Sequence, residues 1–132
     1  METLTKLSAR SLEYYINAGR WENELDFFNL EVLFMTRLVE DHFLQLAGED
    51  RVWKLTQLGS KLSDLMNEKH RVKESLTHQL RDLELMAQDL LNEIQEELAG
   101  KQAHLEYQMM NLIHDYRAVK TELYAILESC IE

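Results

Sequence analysis

Between residues 21 and 46 the side chains Trp21, Leu25, Phe28, Val32, Met35, Val39, His42 and Leu46 step by alternating fours and threes. This is the spacing of one seam on a supercoiled helix, so a partner helix is expected along it. A second stripe, Phe27, Leu30, Phe34 and Leu38, sits roughly 100° around the same helix, with Leu33, Phe43 and Leu44 filling in beyond it. One neighbour cannot cover both stripes, so two partner helices are implied. The seam extends backwards through Ala18, Tyr14, Ser11, Leu7 and Leu4 without losing register. Only Gly19 argues for a break, and a mid-helix glycine costs about 1 kcal/mol, which packing over many turns outweighs. A continuous first helix over residues 3–47 is expected.

Ala47-Gly48-Glu49-Asp50 then reads as a reversal, because glycine can take the left-handed conformation that ends a helix and Asp50 can cap the next one. After it Leu55, Leu58, Leu62, Leu65, Val72, Leu76, Leu83, Met86 and Leu90 continue the pattern, with polar Lys69 and Gln79 at seam positions. An overlapping register, Leu76, Leu80, Leu83, Ala87, Leu90 and Ile94, widens the buried face where a third helix should join. The same glycine logic places a second turn at Leu98-Ala99-Gly100-Lys101. Leu105, Met109, Leu112, Tyr116, Val119, Leu123, Ile126 and Cys130 restore the seam beyond it. The second helix is thus expected over 50–98 and the third over 101–131.

Charge supports this order. In a hairpin about Gly48, Glu22, Glu24, Asp26, Glu31, Glu40 and Asp41 lie alongside Lys54, Lys61, Lys69, Arg71 and Lys73. The stretch with Asp82, Glu84, Asp89, Glu93, Glu96 and Glu97 lies beside Lys6, Arg10 and Arg20. Exposed pairs contribute little singly, but complementary rows fix orientation. The expected fold is all-α, an elongated antiparallel three-helix bundle or long coiled-coil hairpin in one domain over 1–132. Its alternative is a compact up-down four-helix bundle in which the second helix breaks near residue 68.

Folding back about Gly100, the third helix would end near residue 68 of the second and residue 29 of the first. The tip beyond would be a bare two-helix hairpin exposing Phe34, Leu38, Phe43, Leu44, Trp53 and Met66. Soluble monomers rarely tolerate such a patch, so a second copy is expected to cover it as a homodimer.

The 132 residues include no proline and only four glycines, which leaves little irregular structure. Lys and Arg number 14 against 24 Asp and Glu, a formal charge of −10. Such a chain is repelled by a nucleic-acid backbone and by an anionic membrane. Charged residues at Glu2, Lys6 and Arg10 and the absence of a long apolar run indicate neither a signal peptide nor a membrane span. A single cysteine, Cys130, suits a reducing compartment, and a cytoplasmic location is expected.

Candidate chemistry is sparse. His70, Glu74, His78 and Asp82 recur every four residues and share a helix face that could in principle hold a metal, but they fall off the seam in a charged segment, which fits a solvated face. No histidine has a glutamate three places before it, as ferritin-like di-metal bundles require. His42, at a seam position, reads as a polar residue setting register, or as a pH-sensitive element. Phosphate-loop, His-Glu-x-x-His, paired-cysteine and Gly-x-Ser-x-Gly patterns are absent. No enzyme activity and no cofactor are expected.

The run Trp21-Glu22-Asn23-Glu24-Leu25-Asp26-Phe27-Phe28, continuing to Glu31 and Phe34, resembles the first-helix pattern Trp-x-x-Glu-Leu-x-Phe-Phe of small bacterial helical-bundle proteins whose function is unknown. The resemblance covers the first helix and implies no activity. Spectrin-type repeats also place a tryptophan in their first helix, but the single unit and long hairpin depart from them. The function expected is protein–protein interaction with self-association through the hydrophobic hairpin tip. One alternative is a chaperone or adaptor that binds an amphipathic helix of a partner protein. Another is a metal-binding bundle built on the histidine stripe.

Overall fold

Ser8 opens the first helix. Its Oγ accepts a hydrogen bond from the Ser11 N–H at 3.1 Å, satisfying one of the amides a helix start leaves unpaired. In the structure, a computed structural model describing residues 7–46, 48 and 51–131, helix α1 spans Ala9–Asp41. The short α2 (Phe43–Leu46) follows, then α3 (Val52–Ala87) and α4 (Gln95–Ile131). The fold is all-α, with no strand among the described residues. α1 passes through Gly19 unbroken, and α3 runs unbroken through residue 68, which removes the four-helix alternative. Leu4 and the proposed cap Asp50 lie outside the described residues.

Two expected boundaries move. His42 sits in a turn that ends α1, exposed, with its Nδ1 3.0 Å from Gln45 Oε1, so it is not a seam residue. The second turn falls at 88–94 rather than at Gly100, and Gly100 lies inside α4. The reason is local. Asp89 adopts a left-handed φ of 59°, with the Leu90 N–H donating to Leu85 O at 2.8 Å and the Asp89 N–H to Met86 O at 3.1 Å. These two bonds are the Schellman termination, here with aspartate where glycine is usual. Among the described residues no glycine has a positive φ, Gly48 included. Leu90 and Ile94, expected in the seam, are exposed in this turn.

The chain falls into two compact units, and each long helix contributes to both. The first comprises the described part of Met1–Asp26 with His70–Met110. Within it Leu7, Leu83, Met86, Ala87 and Leu98 cluster against Tyr14 and Tyr15. Lys73 lies 3.7 Å from Asp26, and Asp82 3.9 Å from Lys101, so α3 runs antiparallel to both neighbours. Gln79 is buried at its seam position: its Nε2 donates to Gln102 Oε1 at 3.2 Å, and Gln102 Nε2 donates to the Tyr14 carbonyl at 3.1 Å. The pair is only half satisfied, since Gln79 Oε1 is buried without a hydrogen-bond partner among the described residues. At the open end Glu93 accepts from the Ser8 N–H at 3.1 Å, while Gln95 Nε2 donates to the hydroxyls of Ser8 and Ser11.

The second unit comprises Phe27–Lys69 and the described part of Asn111–Glu132. Phe28, Val32, Met35 and Val39 of α1, Leu55, Leu58, Leu62 and Leu65 of α3, and Leu112, Tyr116, Val119, Leu123 and Ile126 of α4 are buried. α4 runs alongside α1, with Tyr116 edge-on to Phe28 at 5.2 Å between centroids and Lys120 3.3 Å from Glu31. It reaches the start of α3, where Lys61 meets Glu122 at 3.4 Å and the Arg51 guanidinium meets the half-buried Cys130 sulfur. The bare two-helix tip is therefore overturned. Because the turn comes early, α4 gains the length to pack against α3 as far as Arg51. It also takes charge partners, Glu31 and Lys61, that the expected pairing had assigned to α1 against α3.

Candidate interaction surface

With α3 and α4 both seated over the Phe28, Val32, Met35 and Val39 row, the second stripe of α1 has no partner helix among the described residues. Phe27 is 63% exposed, Leu30 65%, Leu33 39% and Phe34 54%. At 100° per residue these four centre about 150° from the buried row, wider than the separation expected, because Leu33 belongs with them. A helix with apolar side chains on both faces is ordinarily covered on both. On α1 of this unit one face is covered and the other is open.

The six residues expected at the tip do not share one surface. Phe34 is exposed on the outer face of α1, while Leu38 and Phe43 are half-buried. Leu44 on α2 is 91% exposed. Met66 is half-buried on α3. Trp53, 67% exposed, lines a groove of about 580 Å³ between α3 and α4 with Lys54, Lys61, Glu122 and Ile126. That groove lies across the unit from the outer face of α1. Leu30, named in sequence only as part of the second stripe, and Phe27 are the residues that the tip argument left out. The signal for them was present in the three-four spacing, but the misplaced turn directed attention to the helix ends.

The histidine stripe gains no convergent geometry. His70, Glu74 and His78 are exposed along α3, and Asp82 faces Lys101. Among the described residues no group of three or more His, Cys, Asp or Glu side chains is placed to hold a metal ion. No helix is long and apolar enough to cross a membrane among those residues.

Titratable groups inside the bundle have structural causes. Burial, and then the Glu31 charge beside it, raises the Tyr116 hydroxyl above the ordinary phenol range. The hydroxyl is buried without a hydrogen-bond partner among the described residues, and Glu31 acts on it through its charge. The Ser11 hydroxyl and the Ser8 N–H hold Glu93 below the usual carboxylate range against an opposing effect of burial. Burial and the nearby Glu84 raise Tyr15. The chain matches no family model, no curated protein and no solved structure.

Proposed function

We propose that the protein works by protein–protein association, joining a second copy of itself through the outer face of α1. The observation that carries this reading is the row Phe27, Leu30, Leu33 and Phe34, four large apolar side chains held in water on one rigid helix. Apolar surface of this kind on a soluble protein marks a contact site. A helix face is a suitable one, since its backbone is already ordered and only side-chain rotamer freedom is lost on docking. The role is one of binding rather than catalysis, and the lone cysteine supports the cytoplasm as the compartment.

Solution mass by light scattering across a concentration series tests the reading. Two chain masses at high concentration, reverting to one chain mass of 15.6 kDa in a Phe34→Lys variant that keeps its helical circular dichroism, is the expected result. A parent chain of single mass throughout overturns self-association and transfers the face to a foreign amphipathic helix.

A further inference from the structure

We infer that the cleft between α3 and α4 in the first compact unit binds a small zwitterion of the α-amino-acid class. Such a site is independent of the self-association proposed above, and it starts from a chain of buried amides. The Tyr14 carbonyl can only accept, so Gln102 turns its NH2 toward it and its Oε1 toward Gln79, at 3.1 and 3.2 Å. Gln79 then gives its own NH2 to Gln102, and the one carbonyl fixes the orientation of both amides. What is left over at the end of the chain is Gln79 Oε1. Gln79 is 2% exposed, and this oxygen accepts from no donor among the described residues. A buried acceptor without a partner costs the loss of its hydration, so a ligand that brings it an N–H or O–H relieves that cost.

Gln79 lines a cleft of about 240 Å³ together with His78 and Asp82 of α3 and Lys101, His104 and Leu105 of α4. This volume is below that of drug-sized sites and suits a ligand of few atoms. Gln79 and Leu105 are buried at the cleft, Asp82 is half-buried, and His78, Lys101 and His104 are exposed. One carboxylate and one ammonium thus face the same cleft from opposite helices. Their separation of 3.9 Å is too long for a direct hydrogen bond, so each keeps its bonding capacity for a third group. A zwitterion satisfies the whole set. Its ammonium donates to Gln79 Oε1 and Asp82, and its carboxylate accepts from Lys101 and from a ring N–H of His78 or His104, which the neutral ring carries in either tautomer. A short apolar side chain lies on Leu105. With no net charge, the ligand is not repelled by the −10 of the chain. A cation alone would meet Lys101, and an anion alone would meet Asp82 and leave Gln79 Oε1 without a donor.

Titration calorimetry on the full chain tests this with valine, isovalerate and isobutylamine, which share one branched skeleton and carry both charges, the carboxylate alone and the ammonium alone. Valine is expected to bind with a dissociation constant on the order of 1 mM, and each of the other two about tenfold more weakly or worse. Nuclear magnetic resonance should show the Gln79 side-chain amide shifting as valine is added. Lys101→Met and Asp82→Asn lie clear of the buried amide chain, so both are expected to keep the helical circular dichroism of the parent. Each should weaken valine binding about tenfold, by removing the hold on the carboxylate or on the ammonium. Valine that gives neither heat nor an amide shift at about ten times the expected dissociation constant overturns the inference. Isovalerate or isobutylamine binding as tightly as valine does so too, as does valine binding that neither variant weakens. All of these readouts report ligand binding, so a chain that never dimerises leaves their meaning unchanged.

Discussion

Asp89 carries the reversal between α3 and α4 in a conformation that disfavours most side chains, and it does so without glycine. An alanine there keeps the steric penalty and loses the carboxylate, so Asp89→Ala is expected to cost about 1 kcal/mol in urea denaturation. Asp89→Gly is expected to hold stability at or above the parent, since glycine enters this conformation freely. Glu93, a few residues on, gives a pH signature. Its carboxylate is held by Ser11 and Ser8, so its folded pKa lies below the value of the unfolded chain. The stabilisation is complete above the unfolded value, near 4.5, and is lost as pH falls through the folded one. Glu93→Gln should therefore be less stable than the parent at neutral pH. The gap should close on acidification, because a protonated glutamate and a glutamine offer the same charge. A gap that persists unchanged at pH 3 would count against the serine contacts.

At the scale of elements, the buried rows of all three long helices were legible in the three-four spacing, and so were the continuity of α1 through Gly19 and of α3 through residue 68. The second turn was not. Gly100 drew the boundary because glycine so often ends a helix, while the true end is set by a hydrogen-bond pattern around Asp89 that no residue type announces. A check of this point is Gly100→Ala. A Cβ at Gly100 would meet nothing within 4 Å, and the residue sits inside α4, so the substitution is expected to stabilise by about 0.5–1 kcal/mol. Had Gly100 formed the turn in a left-handed conformation, the same change would destabilise. From that one displaced boundary follow the others: the length of α4, the covered end of α3, and the regrouping of the apolar surface onto α1. The outer stripe itself was visible in sequence. What sequence could not supply was which of the two stripes the partner helices would choose.

For the molecule as a whole, charge sets the conditions under which copies meet. Two chains of −10 repel at a distance and attract only at short range, so dimerisation is expected to strengthen from low to physiological salt as the repulsion is screened. Association that weakens steeply with salt would instead point to ion pairs as its source. The pairing of α1 with α4 has a further result in time rather than in space. Its contacts join residues 87, 88 and 89 apart at Ser8 with Gln95, Tyr14 with Gln102 and Glu31 with Lys120, whereas Gln79 and Gln102 on the α3–α4 hairpin are separated by 23. Closing a long loop costs more chain entropy than closing a short one, and distant contacts slow folding. The α3–α4 hairpin should accordingly zip from its turn before α1 arrives, so that Asp89→Ala slows refolding while Val32→Ala mainly speeds unfolding. α1, which bears the open apolar face, is then the last helix to be secured and the first to be released.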